Sequence, residues 1–231
     1  MSAYDPFAAV YDEWSLHMTE DIEHYVRLAR EAPPGPIVEL AVGNGRVAIP
    51  VARETGRALI GIDASVAMLA QARVRADAAE VDLELRHGDM CDLELAEPAV
   101  LVTCPFRSLL HLPTWADKRR LFERVSASLV PGGRFAWNAF AFDYSIAAHN
   151  EGDHLDDPVP HRLHHSAADN RIDLTRLATG DSISLWWCTQ SEWRGLIDVA
   201  GLEVEALYGG FRQEPFTEES REFVWVARKP G

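Results

Sequence analysis

The sequence predicts an α/β protein whose mostly parallel, doubly wound sheet carries helices on both faces. Three observations predict it. Short apolar runs alternate with amphipathic stretches from Ile37 to Phe140, and repeated βα units of this size pair their strands in parallel. Gly43-Asn44-Gly45 lies between the first strand and the helix after it. An acid, Asp63, ends the second strand.

Each element has a local reason. Thr19 is placed to cap a lead-in helix whose first turn carries Glu20, Asp21 and Glu23, acids that suit the positive helix end. Ile22, Tyr25, Val26 and Ala29 recur at helical spacing, and Pro33-Pro34-Gly35-Pro36 stops the helix. Ile37 to Val42 reads as the first strand. Pro50 shortens or bends the helix that follows towards Arg53 and Gly56. Ala58 to Ile62 reads as the second strand, and Ser65 caps an Ala-rich helix with Met68, Leu69 and Ala72 on one face. Val81, Leu83 and Leu85 alternate as the third strand, running into Gly88-Asp89-Met90. Ala99 to Cys104 is the fourth. Thr114 with Asp117 forms a capping box for a helix with Leu121, Phe122, Val125 and Leu129 on its stripe. Pro131-Gly132-Gly133 turns the chain into a fifth strand, Arg134 to Phe140.

After Phe142 the rhythm breaks. Residues 143 to 170 are polar and hold five of the nine histidines. Arg171 to Leu177 and Ile183 to Thr189 read as two extra strands. Thr189 and Glu192 make a second capping box for a helix ending near Gly201. Leu202 to Tyr208 and Phe223 to Arg228 close the chain as strands. No internal repeat or low-complexity tract is present.

Thirty-six acids against twenty-two bases give a formal net charge of −14. A chain this acidic repels phosphate backbones and anionic lipid, so neither nucleic acid nor membrane is an expected partner. No stretch approaches the ~20 apolar residues of a membrane span, and the acidic N-terminus lacks the basic region of a secretory signal. Cys91, Cys104 and Cys188 are too far apart for a CxxC pair and read as small buried side chains in a reducing, cytoplasmic compartment. Whether the chain is a monomer or a homodimer is left open.

Glycines between a strand and a helix let backbone approach a ligand closely and leave the helix N-terminus facing it. Asp63, twenty residues after Gly43, stands where a carboxylate can accept both ribose hydroxyl protons of a nucleoside cofactor. Gly43-x-Gly45-x-x-Ala48 also fits a dinucleotide fingerprint, so an NAD-dependent oxidoreductase is an alternative. Glu39, near the end of the first strand, is poor company for a pyrophosphate and suits a sulfonium or ammonium group.

Five segments carry a resemblance. Val38-Glu39-Leu40-Ala41-Val42-Gly43-Asn44-Gly45-Arg46 resembles the ExGxGxGR motif of class I S-adenosylmethionine-dependent methyltransferases of the small-molecule type. Ile60-Gly61-Ile62-Asp63-Ala64-Ser65, with Met68-Leu69, is similar to their second-strand segment, and Gly88-Asp89-Met90 to the segment flanking the adenine. Pro105-Phe106-Arg107-Ser108-Leu109-Leu110-His111-Leu112 resembles their loop after the fourth strand. Leu129-Val130-Pro131-Gly132-Gly133-Arg134-Phe135 is similar to their turn into the fifth. The segments span Ile37 to Phe142 in the family's order. The chain departs from the pattern at Ala41, usually glycine, at Asn44, commonly threonine, and before the fourth strand, where Pro98-Ala99-Val100 lacks the usual acid.

The resemblance implies a Rossmann-like class I methyltransferase fold: seven strands, the last antiparallel, and a small cap. The chain then divides into a helical lid (1–35), a cofactor-binding core (36–142), a substrate-cap insertion (143–190) and a C-terminal part completing the sheet (191–231). It implies direct in-line methyl transfer from S-adenosylmethionine to a small-molecule acceptor, N or O, leaving S-adenosylhomocysteine. An inactive binding module is a second alternative. Tyr11, Glu39, Ala41, Gly43, Gly45, Arg46, Asp63, Ala64, Met68, Asp89, Met90, Cys104 and Pro105 are the expected cofactor residues. Trp14, His17, Phe106, Arg107, Phe140 and Trp186 are the expected substrate residues. His111 is the candidate general base, since imidazole titrates near ~6.5. Trp186 and Trp187 are adjacent on a strand and face opposite sides. His149, His154, His161, His164 and His165 lie among carboxylates, but no two fall at a tight helical or hairpin ligand spacing, and no metal site is assigned.

Overall fold

The computed structural model describes residues 4–15 and 18–231, Trp14 by its backbone alone. Two helices precede the sheet, α1 (Tyr11–Ser15) and α2 (Ile22–Glu31). The core then alternates β1 (Ile37–Leu40), α3 (Ala48–Thr55), β2 (Leu59–Asp63), α4 (Val66–Ala79), β3 (Leu83–His87), β4 (Ala99–Cys104), α5 (Trp115–Ser128) and β5 (Leu129–Phe140). A cap follows, made of α6 (Tyr144–His149), β6 (Gly152–His154), β7 (His161–Ser166), β8 (Arg171–Arg176) and β9 (Ser182–Trp186). Helix α7 (Gln190–Val199), β10 (Glu203–Tyr208) and β11 (Glu222–Arg228) return to the core.

The main sheet has seven strands in the order β10-β11-β5-β4-β1-β2-β3. Strands β1 to β5 pair in parallel, and β11 runs antiparallel to both its neighbours. Successive side chains alternate between the two faces. Val38, Leu40, Val102, Phe135 and Trp137 therefore pack with α5 and α7, while Ile37, Leu59, Leu101 and Ala136 pack with α2 and α3. An aromatic stack forms the first of these cores, with Trp137 rings 4.7 Å from Phe135 and 5.9 Å from Trp225. Its largest members are fully buried, each worth roughly 1.5–3 kcal/mol of transfer free energy.

The helix signals mostly hold. Ser65 accepts from the Met68 N–H at 3.2 Å, and both capping boxes close reciprocally. The lead-in helix is a correction. Asp21, not Thr19, occupies its N-cap, with no side-chain cap bond, because the Asp21 carboxylate is held by Arg46. At the other end, Arg57 donates to the carbonyls of Ala29, Ala32, Pro33 and Gly35 at 2.7–3.0 Å. That satisfies a helix end and a proline turn together.

The cap is a four-stranded antiparallel sheet, β6-β7-β8-β9. The sequence reading expected two strands there and found none before Arg171. Strand β7, His-Arg-Leu-His-His-Ser, alternates too little apolar character to be legible alone. Among the described residues, no helix is long and apolar enough to cross a membrane.

Candidate active site

The carboxyl ends of β1, β2 and β4 meet beneath the lead-in segment, where open α/β sheets bind ligands. Two cavities lie there side by side. The first, about 430 Å³, is lined by Ala41 and Gly43, by Asp63, Ala64 and Met68, and by Gly88, Asp89 and Met90. Tyr4, Tyr11, Phe106, His111 and residues 182–184 and Trp186 of β9 close it. The second, about 410 Å³, is mostly apolar. It is lined by Phe106, Arg107, Phe140, Phe142, Ile146 and by Leu163, Ile172, Leu174, Ile183 and Leu185 of the cap. Tyr4, Tyr11, Phe106, His111 and Ile183 border both.

The glycine loop is held in a left-handed backbone at three points, Ala41 (φ 53°), Gly43 (φ 54°) and Gly45 (φ 81°). A Cβ on Gly45 would lie 2.7 Å from Ile49 Cδ1, so that glycine lets the helix pack. A Cβ on Gly43 would have nothing nearer than 4.0 Å. It would project into the open cradle instead, where a ligand needs the room. Asp63 anchors the loop by accepting from the Gly43 N–H and the Ser65 N–H, each at 2.8 Å. Burial raises its carboxyl above the usual range, and those two N–H groups oppose the rise.

Glu39 sits behind the loop, 3% exposed. Burial pushes its carboxyl up to about 8, against the pull of the Arg46 guanidinium. Arg46 itself lies outside both cavities. It forms a bidentate pair with Asp21 at 2.7 and 2.6 Å, and covers the Phe106 ring at 4.6 Å.

His111 stands on the shared border. Its Nδ1–H donates to the Ser184 carbonyl at 3.2 Å, so Nε2 carries the lone pair and accepts from the Tyr4 hydroxyl at 2.8 Å. Burial lowers the imidazole to about 4, and the ring is neutral at physiological pH. Phe106 and Arg107 are consecutive left-handed residues (φ 58° and 62°), a conformation that costs roughly 1–2 kcal/mol per residue. A buried network holds the turn: Arg107 pairs with Glu222 at 2.7 Å, Asn138 Nδ2 donates to Glu222 at 2.6 Å, and Tyr25 donates to Asn138 at 3.1 Å.

The lead-in residues are tied to the core beside the cavity. Asn44 Nδ2 donates to Asp12 at 2.8 Å, Arg75 pairs with Asp12, and Ser65 donates to Asp5 at 2.6 Å. The unusual residue at Asn44 thus has a structural partner in the lead-in segment.

Residues 37–133 match the family described as methyltransferase domain. With β11 antiparallel, the sheet is that family's and not a dinucleotide-binding one. Residues 37–133 thus carry a methyltransferase domain, and the chain has the fold of S-adenosylmethionine-dependent methyltransferases. This methyltransferase has the fold of the CcbJ methyltransferase from Streptomyces caelestis, with a TM-score of 0.84 over 100% of this chain and 99% of that one at 24% identity. It also has the fold of Streptomyces venezuelae DesVI, with a TM-score of 0.72 over 97% and 98% at 22% identity. The dTDP-3-amino-3,6-dideoxy-alpha-D-glucopyranose N,N-dimethyltransferase of Streptomyces fradiae is 28% identical over 190 residues, 75% of this chain and 72% of its own. The NAD-dependent alternative is thereby set aside. S-adenosylmethionine is the cofactor, and the open cradle at Gly43 with its anchored acid fits it.

Of the expected cofactor residues, Tyr11, Ala41, Gly43, Asp63, Ala64, Met68, Asp89 and Met90 line the first cavity. Glu39, Gly45, Arg46, Cys104 and Pro105 do not line it. Of the expected substrate residues, Phe106, Arg107 and Phe140 line the second cavity. Trp186 lies on the first instead. Trp187, 6% exposed, stacks on Phe142 with centroids 4.1 Å apart. Nothing is described of the Trp14 side chain, and His17 lies outside the described residues. Tyr4 belongs to the lead-in aromatics that the sequence places near the site, whereas Ser184, Phe142 and the cap residues of the second cavity carry no sequence signal of their own. The alternation Ser182, Ser184, Trp186 against Ile183, Leu185 was the available signal: β9 is the partition between the two cavities.

Proposed function

We propose that the methyltransferase moves a methyl group to a nitrogen or oxygen of a small molecule with an apolar body, by in-line displacement. The observation that supports this is the pairing of an apolar cavity with the cofactor cavity across the border formed by Tyr4, Tyr11, Phe106, His111 and Ile183. When bound, S-adenosylmethionine supplies an electrophilic methyl on a sulfonium that leaves as a neutral thioether. The acceptor lone pair would take the methyl as the S–C bond breaks, and the acceptor's proton would pass to solvent water on product release. The chain's own work is alignment and exclusion of water. Asp63 is placed to accept from the ribose hydroxyls. The aromatic border keeps the acceptor facing one way.

His111 takes a positioning role in this reading. Its lone pair at Nε2 accepts the acceptor's N–H or O–H in place of the Tyr4 hydroxyl. A ring lowered to about 4 orients a nucleophile and does not hold its proton. The Streptomyces fradiae relative is named for a sugar amine, which makes amino sugars the first acceptors to screen. The test is methyl transfer monitored by mass spectrometry with amine and hydroxyl acceptors, followed by His111→Ala. The variant is expected to lose ~10–100-fold in kcat/KM, about 1.4–2.7 kcal/mol, and the wild-type pH profile is expected to show no limb near 6.5 that the variant removes. A limb there that disappears in the variant would restore the general-base role.

A further inference from the structure

The histidine-rich stretch contains a constructed feature to which the proposed reaction gives no role. Strands β6 and β7 form a hairpin in which His154 and His161 are direct cross-strand partners. Cross-strand partners project from the same face. Their rings lie parallel within 5°, with centroids 5.0 Å apart. Asp157 enters from the connecting loop, its carboxylate 3.6 Å from His161 Nδ1. The three residues each offer one ligand atom, and these atoms lie within 4.8 Å of one another. The sequence reading found no hairpin spacing among the histidines. The six-residue loop hid it.

We propose that His154, Asp157 and His161 bind a divalent transition-metal ion of the zinc type. Two imidazoles and one carboxylate are a borderline donor set that suits zinc and its neighbours and not calcium or magnesium. The His154 ring is oriented as it is around metals: its Nε2–H donates to the Asn150 carbonyl at 2.9 Å, which leaves Nδ1 as the lone-pair atom. His161 Nδ1 lies 2.9 Å from the Val159 carbonyl as well as 3.6 Å from Asp157, so this ring turns, or gives up its Nδ1 proton, when the ion binds. Burial is graded across the set. His161 is 5% exposed, while the Asp157 side chain is 50% exposed, so an ion can enter from solvent and keep an open fourth position. Strand β7 carries His161 itself, with Leu163 and His165, on the second cavity. An ion at the hairpin end would pin that wall. The proposal does not depend on which acceptor is methylated.

The test is calorimetric titration of zinc into the chelator-treated full chain, for wild type, His154→Ala and Asp157→Asn, with cobalt absorption as a second probe of the ligand field. One ion per chain is expected, with affinity falling at least ~10-fold in each variant and a zinc-dependent rise in Tm confined to wild type. S-adenosylhomocysteine binding measured on the same samples is expected to be unchanged in the variants, which reports that they are folded. Asp157→Asn changes a solvent-facing loop residue and keeps the proposal falsifiable if His154→Ala does not fold. Absence of zinc binding to wild type would overturn the proposal. So would equal affinity in wild type and Asp157→Asn, which would place the ion elsewhere.

Discussion

At Ala41 the chain keeps the backbone of a glycine without the glycine. Its φ of 53° costs a β-carbon residue roughly 1–2 kcal/mol, against the ~0.5–1 kcal/mol of extra chain entropy that glycine loses on folding. Ala41→Gly is therefore expected to stabilise the fold by about 0.5–1 kcal/mol, read as a higher urea midpoint at unchanged m-value. A lower midpoint would mean that the methyl group packs favourably in the loop. Glu39 makes a second test at this scale. Its carboxyl is raised from 4.5 to about 8, first by burial. The folded chain then holds a proton that the unfolded chain releases above about 4.5, and stability falls as the pH climbs through about 8. Glu39→Gln removes that loss. Its Tm is expected to exceed wild type at pH 9 by at least roughly 2–4 °C, the equivalent of ~1 kcal/mol, and the gap to close by pH 5. Equal curves at both pH values would show that Glu39 ionises freely in the folded chain.

The lead-in and the cap are the elements that turn a common core into this particular site. Asp12 holds both Asn44 and Arg75, and the same stretch places Tyr4 and Tyr11 on both cavities. Asp12→Ala is expected to raise the dissociation rate of S-adenosylhomocysteine ~3–10-fold, in line with one hydrogen bond and one partly exposed ion pair, with Tm shifted little. Stopped-flow fluorescence checks this, and an unchanged rate would mean that the latch does not govern release. The core elements were legible because their signals are local. Ser65, Thr114 and Thr189 cap the helices that follow them, and the glycine loop and Asp63 sit at strand ends. Of the cap, β8 and β9 are legible, but β6 and β7 are not, because they pair through backbone across polar residues and nothing in Gly-Asp-His or His-Arg-Leu-His-His-Ser carries a strand period. Sequence spacing does not show where a guanidinium finds its acid, either for Arg46, which lies outside both cavities, or for Arg107, which lines the second. Asp21 and Glu222, distant in the chain, are what they hold.

Over the whole molecule the charge and the topology agree. A net charge of −14 does not suit a phosphate-bearing polymer, and it does suit a cofactor carrying a sulfonium and an ammonium group. The seven-stranded sheet brings Ala41 and Gly43, Asp63, and Asp89, from the ends of β1, β2 and β3, onto one cavity. The cap sheet then sets β9 between that cavity and an apolar one. The most direct measurement is calorimetric titration of wild type and Asp63→Asn with S-adenosylhomocysteine, using NAD as the control. Asparagine keeps one acceptor for the Gly43 and Ser65 N–H groups and removes the charge. Micromolar binding by wild type is expected, weakened ~10–100-fold in the variant, about 1.4–2.7 kcal/mol, with no NAD heat. Binding of NAD, or S-adenosylhomocysteine affinity indifferent to Asp63, would contradict the placement of the cofactor in this cavity.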